Sequence, residues 1–141
     1  MRYLGLDYGS TTVGVAISDQ LNLMSHPFET IFRDRENKLR RTLSRIYDIC
    51  LDNKITHIIL GYPLMISGDE LERCHATKEF AKLLERRVSD LGIEIIFVDE
   101  RYTTCEANEI LDEMGIKRID RKKYIDQIAA SIILQDYLNG K

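Results

Sequence analysis

The sequence predicts an α/β fold: a mixed five-stranded sheet in which three antiparallel strands precede βαβ crossovers, with helices flanking the sheet. Three observations carry this. The first part of the chain, to Phe32, alternates apolar with small or polar residues at period two. Two later segments carry apolar stripes at the helical period, and short continuous apolar runs of the kind that form buried strands accompany them. No repeat or linker interrupts the 141 residues, so one domain spanning 1–141 is expected.

In the first strand Leu4 and Leu6 fall on one face, Gly5 and Asp7 on the other. After a break at Tyr8, Gly9 and Ser10, Val13, Val15 and Ile17 alternate with Gly14, Ala16 and Ser18, which completes a hairpin. Pro27 to Phe32 reads as a third strand, at an edge because it holds a proline. Leu39, Leu43, Ile46, Cys50 and Leu51 then form the stripe of a helix expected over about 34–53. Ile58, Ile59 and Leu60 predict a strand buried on both faces that ends at Gly61, Tyr62 and Pro63.

Residues 62–74 are expected to form a loop long enough to act as a lid. Ala76, Phe80, Leu83, Leu84, Val88 and Leu91 mark a second helix stopped by Gly92. Ile93 to Val98 predicts another buried strand, which runs into Asp99, Glu100 and Arg101. Thr103 and Glu106 have capping-box spacing ahead of a helix that passes Met114 and stops at Gly115. A last helix is expected over about 121–138.

With 44% apolar and 30% charged residues and only two prolines, the chain is neither disordered nor of low complexity. No apolar run approaches the roughly 18 residues of a membrane span, and Met1 to Asp7 leads into a strand with no cleavable signal. The expectation is therefore a cytoplasmic protein with no membrane partner. Cys50, Cys74 and Cys105 are odd in number and far apart, which predicts reduced thiols rather than a disulfide framework or zinc knuckle. The net charge of −3 is unevenly spread. Arg33, Arg35, Lys38, Arg40, Arg41 and Arg45 face two acids within their stretch, and Lys117, Arg118, Arg121, Lys122 and Lys123 face one. Each stretch carries +4, which leaves −11 for the rest.

The placement of the carboxylates suggests chemistry. Asp7 ends the first strand beside a turn of small residues, and Asp99 and Glu100 end the last strand. Ligands of open α/β sheets gather at the carboxyl ends of parallel strands. Asp126 lies on the last helix in register with Ala130, Ile133 and Tyr137, and Ala129 and Ala130 would let that helix approach the sheet. Crowded carboxylates repel unless a cation relieves them, and hard oxygen donors suit Mg²⁺ or Mn²⁺. The matching reaction is metal-assisted phosphodiester hydrolysis. In the first turn, Ser10, Thr11 and Thr12 can offer hydroxyls and backbone N–H groups to a phosphate. Arg101, with Arg40, Arg41, Arg121, Lys122 and Lys123 of the basic stretches, would steady a nucleic-acid backbone. His26, His57 and His75 have no paired spacing, and neither a Walker lysine nor a dinucleotide fingerprint is present.

Five segments in order resemble one bacterial family, YqgF, also called RuvX. They are Gly5-Leu6-Asp7-Tyr8-Gly9, Gly14-Val15-Ala16-Ile17-Ser18-Asp19, Gly61-Tyr62-Pro63-Leu64, Asp99-Glu100-Arg101-Tyr102-Thr103-Thr104 and the stretch from Asp126 to Leu138. The resemblance implies an RNase H-like fold. It also implies a nuclease, described in the family both as a Holliday-junction resolvase and as a nuclease maturing the 5′ end of pre-16S rRNA. It carries the family's acidic site onto Asp7, Glu100 and Asp126, with Asp99 and Arg101 as neighbours. Family members tend to be basic where this chain has Thr11 and Thr12, and small where it has Asp69, Glu70, Leu71 and Glu72.

Precursor rRNA and branched DNA both stay open as substrates, and a two-fold-symmetric junction would call for a homodimer with paired sites. A non-catalytic RNA-binding module for ribosome assembly also stays open. A sugar-kinase or actin-like ATPase shares the look of Gly5 to Thr12 but clasps its nucleotide between two such domains, and one is expected here.

Overall fold

The computed structural model describes residues 1–62, 68–99, 109–115 and 124–140, with side chains throughout except at 68–73 and 99. Its elements are β1 (Tyr3–Tyr8), β2 (Thr12–Ser18), β3 (Ser25–Phe32), α1 (Arg40–Asp52), β4 (His57–Tyr62), α2 (Gly68–Arg87), a 3₁₀ turn (Ser89–Leu91), β5 (Glu94–Asp99) and α3 (Ile125–Asn139). Residues 109–113 are also helical, ahead of Gly115 with φ +73°. The sheet order is β3-β2-β1-β4-β5. The β1–β2 and β2–β3 pairs are antiparallel, whereas β1–β4 and β4–β5 are parallel. This is the mixed sheet that the residue pattern predicts.

The period-two alternation divides the sheet into two faces. Leu4, Leu6, Val13, Val15, Ile58 and Leu60 pack with Leu43, Ile46 and Ile49 of α1 and with Phe80 and Leu84 of α2. On the other face Tyr3, Ala16 and Ile59 meet Ala130, Ile133, Leu134 and Leu138 of α3. This second layer is thin, because small residues stand on both sides of it. A side chain built at Gly5 would meet Leu134 Cβ at 2.8 Å and the Ala130 carbonyl at 2.9 Å.

Polar ties hold α3 in register against β3. Ser25 donates its backbone N–H to Gln135 Oε1 (2.9 Å) and its hydroxyl to the Ser131 carbonyl (2.6 Å), and Gln127 Nε2 donates to Thr30 Oγ1 (3.2 Å).

Several sequence expectations are corrected. The helix expected over 34–53 begins at Arg40, because Arg33 is tied back to the first turn and a turn follows it, closed by Lys38 N–H on the Arg35 carbonyl. Within α1, Leu51 is exposed and Ile49 takes its place in the core. The span 62–74 is not a loop throughout, since α2 already begins at Gly68, several turns ahead of Phe80. Among the described residues β5 is an edge strand rather than one buried on both faces, and its Phe97 is 47% exposed. The last helix is described from Ile125 onward, and residues 121–123 lie outside the described residues. Among the described residues no helix is long and apolar enough to cross a membrane.

Candidate functional site

β1, β4 and β5 run parallel, so their carboxyl ends meet at one edge of the sheet. Asp7 stands there, half-buried, on the α3 face. Its partner across the hairpin is Gly14, and Gly14 is where α3 reaches the sheet. A Cβ at that position would overlap the Asp126 carbonyl and lie 2.8 Å from the Gln127 nitrogen. The main chain of Asp126, in the first turn of α3, therefore fills the side-chain space of the residue paired with Asp7. Opposed Cα atoms of an antiparallel pair are about 4.5–5.5 Å apart. The backbones of two aspartates from opposite ends of the sequence thus share one corner.

On the other side of β1, Leu6 pairs with Leu60, so the next residue of β4 is Gly61, which pairs in turn with Val98 of β5. A glycine in the middle strand puts no side chain between Asp7 and the end of β5. Asp99 is the last residue of β5; the Asp99 side chain and residues Glu100 and Arg101 lie outside the described residues, as do Arg121, Lys122 and Lys123. Among the described residues no group of three His, Cys, Asp or Glu gathers to hold a metal. Asp7 and Asp126 are the described part of the expected donor set, and their hard oxygens suit Mg²⁺ or Mn²⁺ rather than zinc.

The first turn is built for rigidity. Gly9 N–H bonds the Thr12 carbonyl at 2.8 Å, Arg33 N–H bonds the Thr11 carbonyl at 2.8 Å, and the Arg33 guanidinium donates to the Gly9 carbonyl at 2.5 Å. The same guanidinium lies 4.8 Å from the centroid of the Tyr8 ring, whose stacked partner at 4.2 Å is Phe80 of α2. Ser10 and Thr11 are exposed at the tip and Thr12 is half-buried, so the turn presents hydroxyls from a fixed backbone.

The basic stretch 33–45 is divided in its duties. Arg33 anchors the turn, and Arg45 forms two hydrogen bonds to Glu29 (2.6 and 2.9 Å) that raise its pKa above the ordinary value. Arg40 and Arg41 are exposed at the start of α1. Residue reading missed Arg33 and Gly14 as positioning residues. Both were visible, Arg33 as the first base of its run and Gly14 as a small residue opposite Asp7, yet their roles come from contacts between distant segments.

The fold has close counterparts. The chain covers 99% of its own length and 94% of T. thermophilus RuvC in complex with a Holliday junction substrate, with a TM-score of 0.60 and 13% identity. A fowlpox virus Holliday junction resolvase gives a TM-score of 0.60 at 15% identity, with 99% of both chains covered. The architecture is accordingly that of the RNase H-like class. By sequence, the model of the RuvX family, described as Holliday junction resolvase, matches residues 1–140. A relative from Agathobacter rectalis is 48% identical over 139 residues, covering 99% of this chain and 95% of its own. One from Acetivibrio thermocellus is 41% identical over 141 residues, covering 100% and 97%. Both are provisionally named pre-16S rRNA nuclease. The chain belongs to the RuvX family.

Proposed function

We propose that residues 1–141 form one divalent-metal-dependent endonuclease that hydrolyses phosphodiester bonds of structured nucleic acid, in 5′-end processing of pre-16S rRNA. The observation that carries this reading is the seating of the Asp126 main chain on Gly14, the residue paired with Asp7. Asp7 and Asp126 would hold the cation together with Glu100. Glu100 has the sequence parity of Val98, whose side chain packs on the α3 face, whereas Asp99 has that of Phe97. When bound, Mg²⁺ or Mn²⁺ would supply charge compensation at the phosphate and a more acidic attacking water. Ser10, Thr11 and Thr12 would contact the phosphate beside it, and Arg40, Arg41 and Arg101, with Arg121, Lys122 and Lys123, would neutralise flanking phosphates.

Relatives named for pre-16S rRNA support the RNA substrate. The family description supports a second reading, resolution of four-way DNA junctions by a homodimer with paired sites. Asp7→Asn should abolish metal-dependent cleavage of precursor rRNA while leaving the fold intact; a variant with full activity would remove Asp7 from the site. In a depletion strain, unprocessed 16S precursor should accumulate, with rescue by the wild type and not by Asp7→Asn. Normal precursor levels alongside junction cleavage in vitro would favour the DNA reading.

A further inference from the structure

The nuclease reading uses Arg40 and Arg41 but leaves the cavity that they border unassigned. A cavity of about 550 Å³ opens between the end of β3 and the start of α1, lined by the chain between Phe32 and Arg41. Arg33, Lys38, Arg40 and Arg41 contribute to its wall against a single carboxylate, Asp34. Arg33 is committed to the first turn. Lys38, Arg40 and Arg41 are exposed, and among the described residues none of the three forms an ion pair. The α1 N-terminus adds to this positive field, since Leu39 offers no side-chain cap and the first turn holds no acid. Three cations held around a hollow by one short segment suit a polyanion better than a solvated helix face.

Phe32, on the wall of the same cavity, is 55% exposed. It pairs with Thr12, and Thr12 lies two residues before Gly14 on the same face of β2. Two residues along a strand and one strand across place Phe32 within about 10 Å of Gly14. A continuous track therefore leads from Asp7 and Asp126 over Thr12 to an exposed aromatic ring and on into a basic hollow. An aromatic face stacks on any base, but only an unpaired base has a face to offer.

We infer that Phe32 and the adjoining cavity bind an unpaired nucleic-acid strand, one base stacking on the ring while Lys38, Arg40 and Arg41 take the phosphates. The ligand class rests on the nuclease reading, so the test is made on binding without turnover, where the two can fail separately. Fluorescence anisotropy of a short labelled oligouridine, with a duplex of equal length as comparison, is measured on the full chain in EDTA. The single strand should bind more tightly than the duplex. Phe32→Ala should weaken single-strand binding roughly 5- to 150-fold, with Phe32→Trp restoring it and Phe32→Leu failing to. Lys38→Ala and Arg41→Ala should each lower the slope of log K against log salt by about 0.7, an effect independent of the ring. Equal affinity for the duplex, or a Phe32→Ala protein of unchanged thermal stability that binds like wild type, would overturn the inference. Unchanged salt slopes in both charge variants would overturn the phosphate assignment.

Discussion

Gly14→Ala adds one methyl group where the structure has the least room for it. The new Cβ would overlap the Asp126 carbonyl and lie 2.8 Å from the Gln127 nitrogen. Both are main-chain atoms of α3, so no side chain can rotate away. Either β2 or the start of α3 must move, and α3 is held by Gln127 on Thr30 and by Ser25 on Ser131 and Gln135. Overpacking of this kind costs about 1–3 kcal/mol where side chains can adjust, and a backbone collision belongs at the upper end. With an unfolding entropy of roughly 2.1 cal/mol/K per residue, a loss of about 3 kcal/mol lowers Tm by about 10 °C.

Activity should fall further than stability predicts, because the displaced main chain belongs to Asp126. At a temperature where the variant is still folded, metal-dependent cleavage should drop at least about tenfold, the equivalent of 1.36 kcal/mol in the barrier. Thermal denaturation by circular dichroism gives the first quantity, and single-turnover cleavage of precursor rRNA the second. Gly140→Ala is the control: its added Cβ would meet nothing nearer than the Asp136 carbonyl at 3.5 Å, an ordinary contact, and both quantities should stay at wild type. A Gly14→Ala protein with wild-type Tm and cleavage would refute the close approach of α3 and the site built on it.

Other outcomes test separate links. Saturating Mg²⁺ or Mn²⁺ should raise the wild-type Tm, by the equivalent of about 2.7 kcal/mol at one hundred times Kd, and Asp7→Asn should lose most of that rise in the same thermal scan. Arg33→Ala removes a charged hydrogen bond to Gly9 and the cation over Tyr8, so the urea midpoint should fall by the equivalent of about 2 kcal/mol with the slope unchanged; an unmoved midpoint would show the turn to be rigid without it. Burial pushes the Cys50 thiol up to about 12, so peptide mapping after iodoacetamide treatment near pH 9 should find Cys50 unlabelled until the protein is unfolded. The unfolded thiol ionises near 8.5–9 while the folded one keeps its proton. Stability from this group is therefore complete below that range and falls as pH rises toward 12, by up to about 1.4 kcal/mol per pH unit.

The sheet was legible because its signal is local. Leu4 and Leu6 against Gly5 and Asp7, or Val13 and Val15 against Gly14 and Ala16, state the two faces directly, and the structure keeps each assignment. Where the structure departs from the expected elements, the arrangement of distant segments overrides the local pattern. Arg33 obeys Gly9 and Thr11 rather than the helical stripe downstream, which delays α1 to Arg40. Ile93 to Val98 reads as buried because all but Glu94 are apolar, yet among the described residues no strand covers the outer side of β5. Asp7 and Asp126 could be chosen from strand-end position and helical register. Their shared corner could not, because it depends on Gly14 holding an empty place for the α3 main chain.

That empty place also explains why the proposed metal site falls on this face of the sheet. On the opposite face, α1 and α2 are held off by Leu43, Ile46, Phe80 and Leu84, so their backbones stand a full side-chain layer away. Mg²⁺ binds oxygens at 2.0–2.1 Å, so two carboxylates sharing one ion must bring oxygens within about 4 Å of each other. An aspartate has only a short stem, and a strand and a helix a full layer apart would leave two of them straining to reach one ion. With Gly5 and Gly14 on the sheet and Ala130 on the helix, the α3 backbone rests on the sheet itself. The short side chains of Asp7 and Asp126 would then suffice for the proposed cation. Asp126→Glu, which keeps the charge and lengthens the stem by one methylene, should therefore bind metal less well than wild type. It should nonetheless stay as stable without metal, as paired thermal scans with and without Mg²⁺ would reveal. Wild-type metal affinity in that variant would mean that the tight helix–sheet contact does not set the spacing.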